Sequence, residues 1–597
     1  MKKYLLLCFI AIIITGVSIT LAFSGKRKPP TQQVHEHVST QVAQLRQWYT
    51  TSWQPAVQSG KQDQMQMAFL EGRRIYKRME WAIAYFFPTT AKDLNGAPLP
   101  EIEVEEHTVF EPSGFQVIEE LIYPFEPEAK AQLLQETNRL GSLLYRLEGL
   151  WKEVAIRDDQ VWAAMRLDLV RMAALSLSGF DTPLSGSSIS EMRESLQAIE
   201  YVTKWYTSAI PGHVSDSLQS LFRHSYATIH LKRNFPLFDR HAFLRNNLLP
   251  LSASLLRMQH QLQIPVQNIH AIDLSKPSFF DANAFQVDFF TPDASSAVTA
   301  QKIALGKILF ADRVLSKNGT VSCMSCHLPE KAFTDGMALS RSFGAGQFLS
   351  RNTPSVLYAG LQQSQFYDMR AGYLEDQVRN VVENRDEIHG SLDEAAVKMN
   401  QVPAYRSQFK EAMHTDSITA WDIQVALAAY VRSLAPFSSR FDQHMRGKDE
   451  LSPDEISGFN LFMGKAKCGT CHFMPVFNGT IPPFYTATES EVIGVPYDKN
   501  FSGLSRDSGR YTIYKIPALQ FAFKTPTLRN IALTAPYMHN GIFETLEEVV
   551  DFYDRGGGVG RGLKLDHQTL PETPLQLTEV EKKQLILFLK TLTDNRY

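Results

Sequence analysis

Apolar residues recur at intervals of three and four along residues 30–273, and this spacing predicts amphipathic α-helices. The clearest run consists of Leu133, Leu134, Leu140, Leu143, Leu144, Leu147 and Leu150. Turn-forming clusters are few in this part of the chain, and cysteine is absent from it. We therefore predict a helical-bundle domain over residues 30–273. Pro277, Pro292 and several aromatic residues follow, and they indicate a linker over residues 274–299.

From residue 300 the pattern changes to shorter helices separated by loops rich in Gly, Pro and Asn. Ser452, Pro453 and Glu455 match a capping box with proline in the first helical turn. Thr578 and Glu581 match a second capping box, before a closing helix with one apolar face. That face carries Leu585, Phe588, Leu589 and Leu592. The predicted fold class is therefore mainly α.

The first 28 residues have the composition of an export segment. Lys2 and Lys3 precede an uncharged, mostly apolar run from Tyr4 to Phe23, and further basic residues follow. The run is long enough to span a bilayer, so a cleaved signal peptide and an uncleaved membrane anchor remain alternatives. Either one predicts that the chain leaves the cytoplasm.

Composition excludes several classes of protein. Hydrophobic residues make up 44% of the chain and charged residues 21%, which is typical of globular proteins. The formal charge of −3 provides no basic field, so we expect no nucleic-acid partner. Five cysteines are too few for a disulfide-dense scaffold. One of them, Cys8, lies in the export segment.

The other four cysteines form two identical motifs, Cys323-Met324-Ser325-Cys326-His327 and Cys468-Gly469-Thr470-Cys471-His472. C-x-x-C-H is the attachment signature of c-type haem. Its two thiols bind the vinyl groups of one porphyrin, and the adjacent histidine is the proximal ligand of the iron. A zinc site would bring the second pair within about 15–20 residues, whereas Cys468 lies 145 residues after Cys323. The sequence therefore predicts two covalently bound haems, with His327 and His472 as iron ligands.

The segments around both motifs resemble bacterial dihaem cytochrome c peroxidases and the related methylamine-dehydrogenase maturation enzymes. The resemblance rests on Leu305-Gly306-Lys307, on the segment from Phe523 to Asn530 and on the segment from Thr534 to Gly541. It implies two cytochrome-c-like haem domains, residues 300–450 and 451–597, in a periplasmic enzyme. Hydrogen peroxide would be reduced at the first haem, with electrons supplied to the second by a small cytochrome c or a quinol. A homodimer and a tether to the inner membrane stay open.

The resemblance also implies residues over the open face of the first haem. Gln377 and Glu387 match the family's glutamine and glutamate, and a positioned carboxylate can move a proton between the two peroxide oxygens. Residues 338–352 contain no histidine to cap the first iron, so we expect an open iron, with His389 as an alternative cap. Tyr367 stands where the family usually has an inter-haem tryptophan, either as an electron relay or as a packing residue.

For the second haem, the resemblance places Tyr553 at the distal ligand position. A tyrosine oxygen would favour the ferric and higher oxidation states. Met538 is the alternative ligand, the absence of any protein ligand is a third reading, and His539 is expected beside the site.

A calcium ion is implied by the same resemblance, between the two haem domains. Its ligands would be the side chain of Asn352 and the carbonyls of Thr534 and Pro536, a set that suits a hard cation.

The helical half resembles imelysin-like periplasmic proteins in the segment from Glu111 to Leu121. Gln116 stands in place of that family's histidine, and Glu119 follows three residues later on the same helical face. This spacing suits either metal ligation or a buried polar contact. The alternative role is a docking or packing module.

Three functions follow from these observations. A dihaem peroxidase that reduces hydrogen peroxide to water is our prediction. The alternatives are a dihaem oxidase that uses peroxide to oxidise a protein or organic substrate, and a dihaem electron carrier without catalysis.

Overall fold

The computed structural model describes residues 28–103, 106–207, 212–231, 234–343 and 347–595. The predicted export segment lies outside these ranges, except for Lys28. No helix in the described part of the chain is both long and apolar enough to cross a membrane. The described residues are mainly helical, as the sequence predicts.

Twelve α-helices of the described residues lie in the N-terminal half, in agreement with the predicted mainly helical fold class. They are α1 (Pro30–Trp48), α2 (Gln54–Ser59), α3 (Gln62–Lys77), α4 (Glu80–Phe86), α5 (Pro88–Asn95), α6 (Phe115–Ile122), α7 (Lys130–Glu153), α8 (Asp158–Arg171), α9 (Ser188–Tyr206), α10 (Gly212–Leu231), α11 (Arg240–Phe243) and α12 (Leu249–Gln261).

The leucine run falls on α7, as the spacing predicts. Five of its seven leucines are buried against the neighbouring helices, whereas Leu134 and Leu150 are exposed. An antiparallel hairpin of two short strands, β1 (Glu101–Glu103) and β2 (Thr108–Phe110), connects α5 to α6.

The segment predicted as a linker is ordered and packed into the core. Phe280 contacts Phe441 with ring centroids 5.7 Å apart, and Phe285 stacks on Phe437 at 5.5 Å. Both contact partners belong to the C-terminal half. The aromatic residues of this segment therefore join the two halves of the chain.

Eleven α-helices of the described residues lie in the C-terminal half. They are α13 (Ala300–Ala311), α14 (Leu374–Glu383), α15 (Leu392–Asn400), α16 (Pro403–Met413), α17 (Ala420–Ser433), α18 (Arg440–Met445), α19 (Pro453–Phe462), α20 (Tyr511–Tyr514), α21 (Leu546–Asp554), α22 (Gly557–Gly560) and α23 (Glu579–Thr591). Two short strands, β3 (Ser490–Glu491) and β4 (Phe523–Lys524), pair in antiparallel register.

The same helix crossing occurs twice in this half, once beside each haem-attachment motif. α13 packs on α17, and α19 packs on α23. Each crossing needs a glycine, because a Cβ on Gly306 would lie 1.9 Å from the carbonyl oxygen of Ala426, and one on Gly458 would lie 2.0 Å from that of Gln584. The sequence between each pair of crossing helices contains one motif, which supports two haem units of similar construction.

Both predicted capping boxes are confirmed. The hydroxyls of Ser452 and Thr578 accept hydrogen bonds from the backbone N–H groups of Glu455 and Glu581, whose carboxylates accept from the cap residues in return. The apolar face of α23 is buried, including Leu585 and Phe588. One hydrophobic core runs from Val34 in α1 to Leu592 after α23, so the two halves form a continuous interior.

Candidate functional site

A single cavity of about 1,760 Å³ contains both haem-attachment motifs. All four cysteines and both histidines, His327 and His472, line it. The volume exceeds the roughly 300–1,000 Å³ that is typical of a pocket for one small ligand. Residues of α14 and α17 form part of the walls in the first haem unit, and residues of α21 and α23 form part of them in the second.

The first motif begins as a 3₁₀ turn over Cys323–Ser325. The backbone N–H of His327 donates to the carbonyl of Cys323 at 2.9 Å, which brings both thiols and the imidazole to one side of the turn. His327 Nδ1 lies 2.9 Å from the carbonyl oxygen of Phe333. A proton on Nδ1 donates to that carbonyl, so the lone pair of Nε2 is available for a metal. Burial lowers the pKa of His327, which keeps the ring neutral as a ligand must be.

The second motif repeats this geometry. Its 3₁₀ turn covers Cys468–Thr470, and His472 Nδ1 lies 3.0 Å from the carbonyl oxygen of Pro526 and 3.3 Å from that of Phe477. Burial lowers the pKa of His472 to about 4. Burial also raises the pKa of the Cys468 thiol to about 12, so it is a neutral thiol in a dry site.

The residues present fit two c-type haems. Each motif offers two thiols and one imidazole whose ring orientation is fixed by a backbone carbonyl, and the surrounding cavity walls are largely apolar. By contrast, among the described residues no group of three or more His, Cys, Asp or Glu side chains is arranged to hold a metal ion directly.

Gln377 and Glu387 both line the cavity, together with residues of the first motif. Gln377 lies in the first turn of α14, and Glu387 lies in the loop that follows this helix. Burial raises the pKa of Glu387, and Asn384 Nδ2 donates to its Oε1 at 2.7 Å. A half-buried carboxyl with a raised pKa is suited to hold and transfer a proton.

Tyr367 and Asn352 of the first haem unit line the cavity, and the carbonyl of Tyr367 accepts the backbone N–H of Lys524 in the second unit at 2.8 Å. The Tyr367 hydroxyl donates to Asn352 Oδ1 at 2.5 Å, and Asn352 Nδ2 donates to the carbonyl of Pro536 at 3.0 Å. Thr534 also lines the cavity, so the three residues of the calcium prediction lie close together. A calcium ion there would require the Asn352 amide to turn its oxygen toward the carbonyls.

Tyr553 and Met538 line the cavity, so both candidates for the distal ligand of the second haem face it. Tyr553 lies on α21, and burial raises the pKa of its hydroxyl, with a further contribution from the thiols of Cys471 and Cys468. His539 is engaged elsewhere, because its Nε2 lies 2.8 Å from Ser505 Oγ and its ring stacks on Phe523 at 3.9 Å. This placement agrees with the expectation that His539 lies beside the site.

His389 lies apart from this set. The described residues that line the cavity do not include His389, whose ring packs edge-on against Phe343 with centroids 5.2 Å apart. The structure therefore gives no support to His389 as a cap of the first iron.

An ion pair between the two haem units escaped the sequence reasoning. Arg351 binds Asp368 at 2.6 Å in the first unit and Asp507 at 2.6 Å in the second. These contacts join loops that are far apart in the sequence, so no local sequence pattern predicts them.

Residues of the helical half that line the cavity were also missed. They are Ala97, Pro98, Leu99, Pro100, Gln116, Glu120, Phe180, Pro183 and Leu184. Gln116 faces the cavity and donates through Nε2 to the carbonyl of Asn95 at 3.0 Å. Glu119 accepts the backbone N–H of Ser185 at 2.9 Å. Both side chains thus have protein partners, as in the buried polar contact that the spacing also allowed.

Comparison with known proteins agrees with this geometry. A family model for di-haem cytochrome c peroxidase matches residues 300–450. The methylamine utilization protein MauG of Methylorubrum extorquens is 33% identical over 320 residues, which are 52% of this chain and 85% of that protein. Cytochrome-c peroxidase IdrP1 of a Pseudomonas species is 34% identical over 315 residues, 49% of this chain and 81% of that protein.

A solved structure of a MauG-like protein associated with microbial copper homeostasis is 31% identical, with a TM-score of 0.44, over 51% of this chain and 94% of that one. The imelysin-like resemblance of the helical half stays a prediction. The matched segment contains Cys323, Cys326 and His327, and the MauG relative is covered over most of its length. The chain belongs to the di-haem cytochrome c peroxidase family.

Proposed function

We propose that this chain is an exported dihaem peroxidase, which reduces hydrogen peroxide to water at the first attachment motif with electrons that arrive at the second. The observation that carries the proposal is the shared cavity, which holds both motifs and Glu387. Bound at the first motif, haem supplies an iron that binds and reduces peroxide. The four predicted thioether cysteines and the export segment are consistent with a periplasmic location.

The protein's own contribution at the first motif is proton handling. Burial raises the pKa of Glu387, so this carboxyl can take a proton from the inner peroxide oxygen and deliver it to the outer one. Gln377, in the first turn of the helix that precedes Glu387, also lines the cavity and provides an amide that can orient the peroxide. Exposed residues that line the cavity near this motif, Gln347 and Phe348, mark the side from which peroxide enters.

Tyr367 and Asn352 have a structural part in this proposal. The hydrogen bond between them fixes an aromatic ring of the first unit next to β4 of the second unit. We propose Tyr367 as the aromatic group between the haems and Tyr553 as the distal ligand of the second. We propose calcium at Asn352, Thr534 and Pro536, which predicts that a chelator disturbs the coupling between the haems and that added calcium restores it.

Glu387→Gln tests the proton-handling role. We expect the rate constant for the reaction of the ferric protein with hydrogen peroxide to fall by about 10²–10⁴-fold, the usual contribution of a general acid–base group. Stopped-flow absorbance measures this rate, and the unreacted protein's spectrum checks that the haem sites are intact. Glu383→Gln, an exposed carboxylate on α14, is the matched control. An unchanged rate in Glu387→Gln would refute the role.

A second candidate function is peroxide-dependent oxidation of an organic or protein substrate. It is favoured by Tyr553, because an anionic oxygen ligand stabilises oxidised iron. With hydrogen peroxide and no electron donor, this function predicts an oxidised spectrum that persists for minutes and decays when the substrate is added. Immediate return to the ferric spectrum would favour the peroxidase.

A further inference from the structure

The two attachment motifs differ in how far they are covered. Ser325, between the two cysteines of the first motif, is exposed. Thr470, the matching residue of the second motif, is half-buried, and Gly469 before it is buried, whereas its counterpart Met324 is half-buried. The segment that follows His472 is buried from Phe473 onward. The motif assigned to electron entry is therefore the less accessible of the two.

The cover comes from the helical half. We define the cover loop as residues 177–187, between the end of the π-helical turn at Ser176 and the start of α9. A Cβ on Gly469 would lie 3.3 Å from Cβ of Ser178, so the backbone of the motif packs directly against this loop. Phe180 meets Phe473 edge-to-face with centroids 5.6 Å apart. The cover loop thus covers one side of the second motif, at Gly469 and Phe473.

The cover loop is held firmly in place. Asp181, whose side chain is fully buried, binds Lys77 at 2.8 Å and Arg171 at 2.5 Å. Glu119 accepts hydrogen bonds from the backbone N–H groups of Leu184 and Ser185. Displacement of the loop by an incoming protein would break these buried ion pairs and hydrogen bonds, so it is unfavourable.

Beside the cover loop the cavity reaches the surface, and we call this opening the mouth. Residues that both line the cavity and are exposed mark it: Pro100, Glu120, Pro183, Leu184 and Pro571. Leu99 and Leu570, which are half-buried, continue its walls inward. The rim is mostly apolar, with the carboxylate of Glu120 as a hydrogen-bond acceptor.

One side of the mouth is packed against the second haem unit. The β1–β2 hairpin follows directly after Pro100, and its Ile102 packs against a buried cluster of the second haem unit, formed by Val492, Ile516, Leu519 and Ala522. Apolar walls with a few placed polar groups are characteristic of sites for small organic ligands.

We propose that the electron donor of this enzyme is a small apolar hydroquinone, which binds at this mouth between the helical half and the second haem unit. The proposal rests on the proposed peroxidase function and names its donor class. The reaction balances as one hydroquinone and one hydrogen peroxide giving one quinone and two waters. The hydroquinone loses two electrons and two protons, and peroxide takes up both. The cover loop occupies the side of the second motif that carries Gly469 and Phe473, which disfavours a protein donor there.

Leu184→Trp and Leu570→Trp each add a bulky side chain to the mouth, the first from the helical half and the second from the second haem unit. Ile269→Trp is the matched control, because Ile269 is 70% exposed on the helical half and lies outside the cavity lining. The donors are trimethylhydroquinone and a reduced small c-type cytochrome, assayed with the holoprotein and hydrogen peroxide. We expect saturable turnover of the hydroquinone, with kcat/KM lowered about tenfold or more by either rim variant and unchanged in the control.

Binding is measured separately from turnover. Calorimetry with the dimethyl ether of trimethylhydroquinone, which cannot be oxidised in this way, should show one site per chain that either rim variant weakens. Two rim variants keep the test intact if one of them fails to fold.

The outcomes separate the donor proposal from the proposed function. Turnover of the cytochrome alone, or hydroquinone turnover that neither rim variant affects, would overturn the donor proposal and leave the peroxidase function standing. Failure of the ferric holoprotein to react with hydrogen peroxide would instead overturn the peroxidase function itself.

Discussion

A pair of buried histidines at the junction between the helical half and the haem units makes the stability of this protein sensitive to acid. His241 on α11 and His444 on α18 approach with their Nε2 atoms 2.7 Å apart. Arg245 Nη1 also donates to His444 Nε2, at 3.1 Å. A proton added to this nitrogen would face donors on both sides, so the pair is stable only when neutral. Asp239 is the nearby carboxylate that partly offsets this effect.

The expected magnitude follows from the pKa of His241. Burial, reinforced by the charge of His444, lowers that pKa from 6.5 to about 4. The unfolded chain takes up a proton near pH 6.5, whereas the folded protein takes it up only near pH 4, so the unfolded state binds more protons throughout this window. Stability therefore falls as the pH falls, and this histidine accounts for a loss of about 2 kcal/mol between pH 7 and pH 5.

His241→Gln tests this reasoning, because glutamine keeps a hydrogen-bond donor for His444 and does not titrate. Urea unfolding of the holoprotein at pH 7 and pH 5 should show that wild type loses about 2 kcal/mol more than the variant across this interval. His260→Gln, at an exposed position on α12, is the control and should follow wild type. Parallel pH profiles for wild type and His241→Gln would refute the assignment.

Two further substitutions test other features of the structure. Tyr553→Phe removes the proposed oxygen ligand of the second haem. We expect a changed absorption spectrum and, in a potentiometric titration, a higher reduction potential of that haem. An unchanged spectrum would instead favour Met538 as the distal ligand. Arg529→Met leaves the buried carboxylate of Asp442 without the guanidinium that binds it at 2.8 Å, and we expect a loss of about 3–5 kcal/mol in urea unfolding. Lys410→Met breaks an exposed ion pair and should leave the free energy of unfolding nearly unchanged, so equal losses in both variants would contradict the role of burial.

Features encoded within a few residues could be predicted from the sequence. The capping boxes at Ser452 and Thr578 are local because the side chain and the backbone group that it caps are three residues apart. The attachment motifs are local for the same reason, since two thiols and one imidazole share a single turn. The family resemblance then brought Gln377 and Glu387 to the same cavity wall as the first motif, which periodicity alone could not do.

Contacts between distant segments could not be predicted in this way. Phe180 and Phe473 meet across the two halves, and neither residue has a sequence context that marks it as a contact. The segment of residues 274–299 has the proline and aromatic content of a linker, but its phenylalanines are buried because the C-terminal half supplies apolar partners for them. Burial of this kind depends on the partner surface, so only the tertiary structure reveals it.

The packing of the helical half on Gly469 also imposes an order on the biogenesis of this protein. The machinery that forms thioether bonds must reach Cys468 and Cys471, and this segment is accessible only before Ser178 and Phe180 close over it. The helical half precedes these cysteines in the chain, yet its final docking has to wait until the second haem has been attached. The cover loop therefore closes last, so a chain that has not received its second haem remains open at this junction.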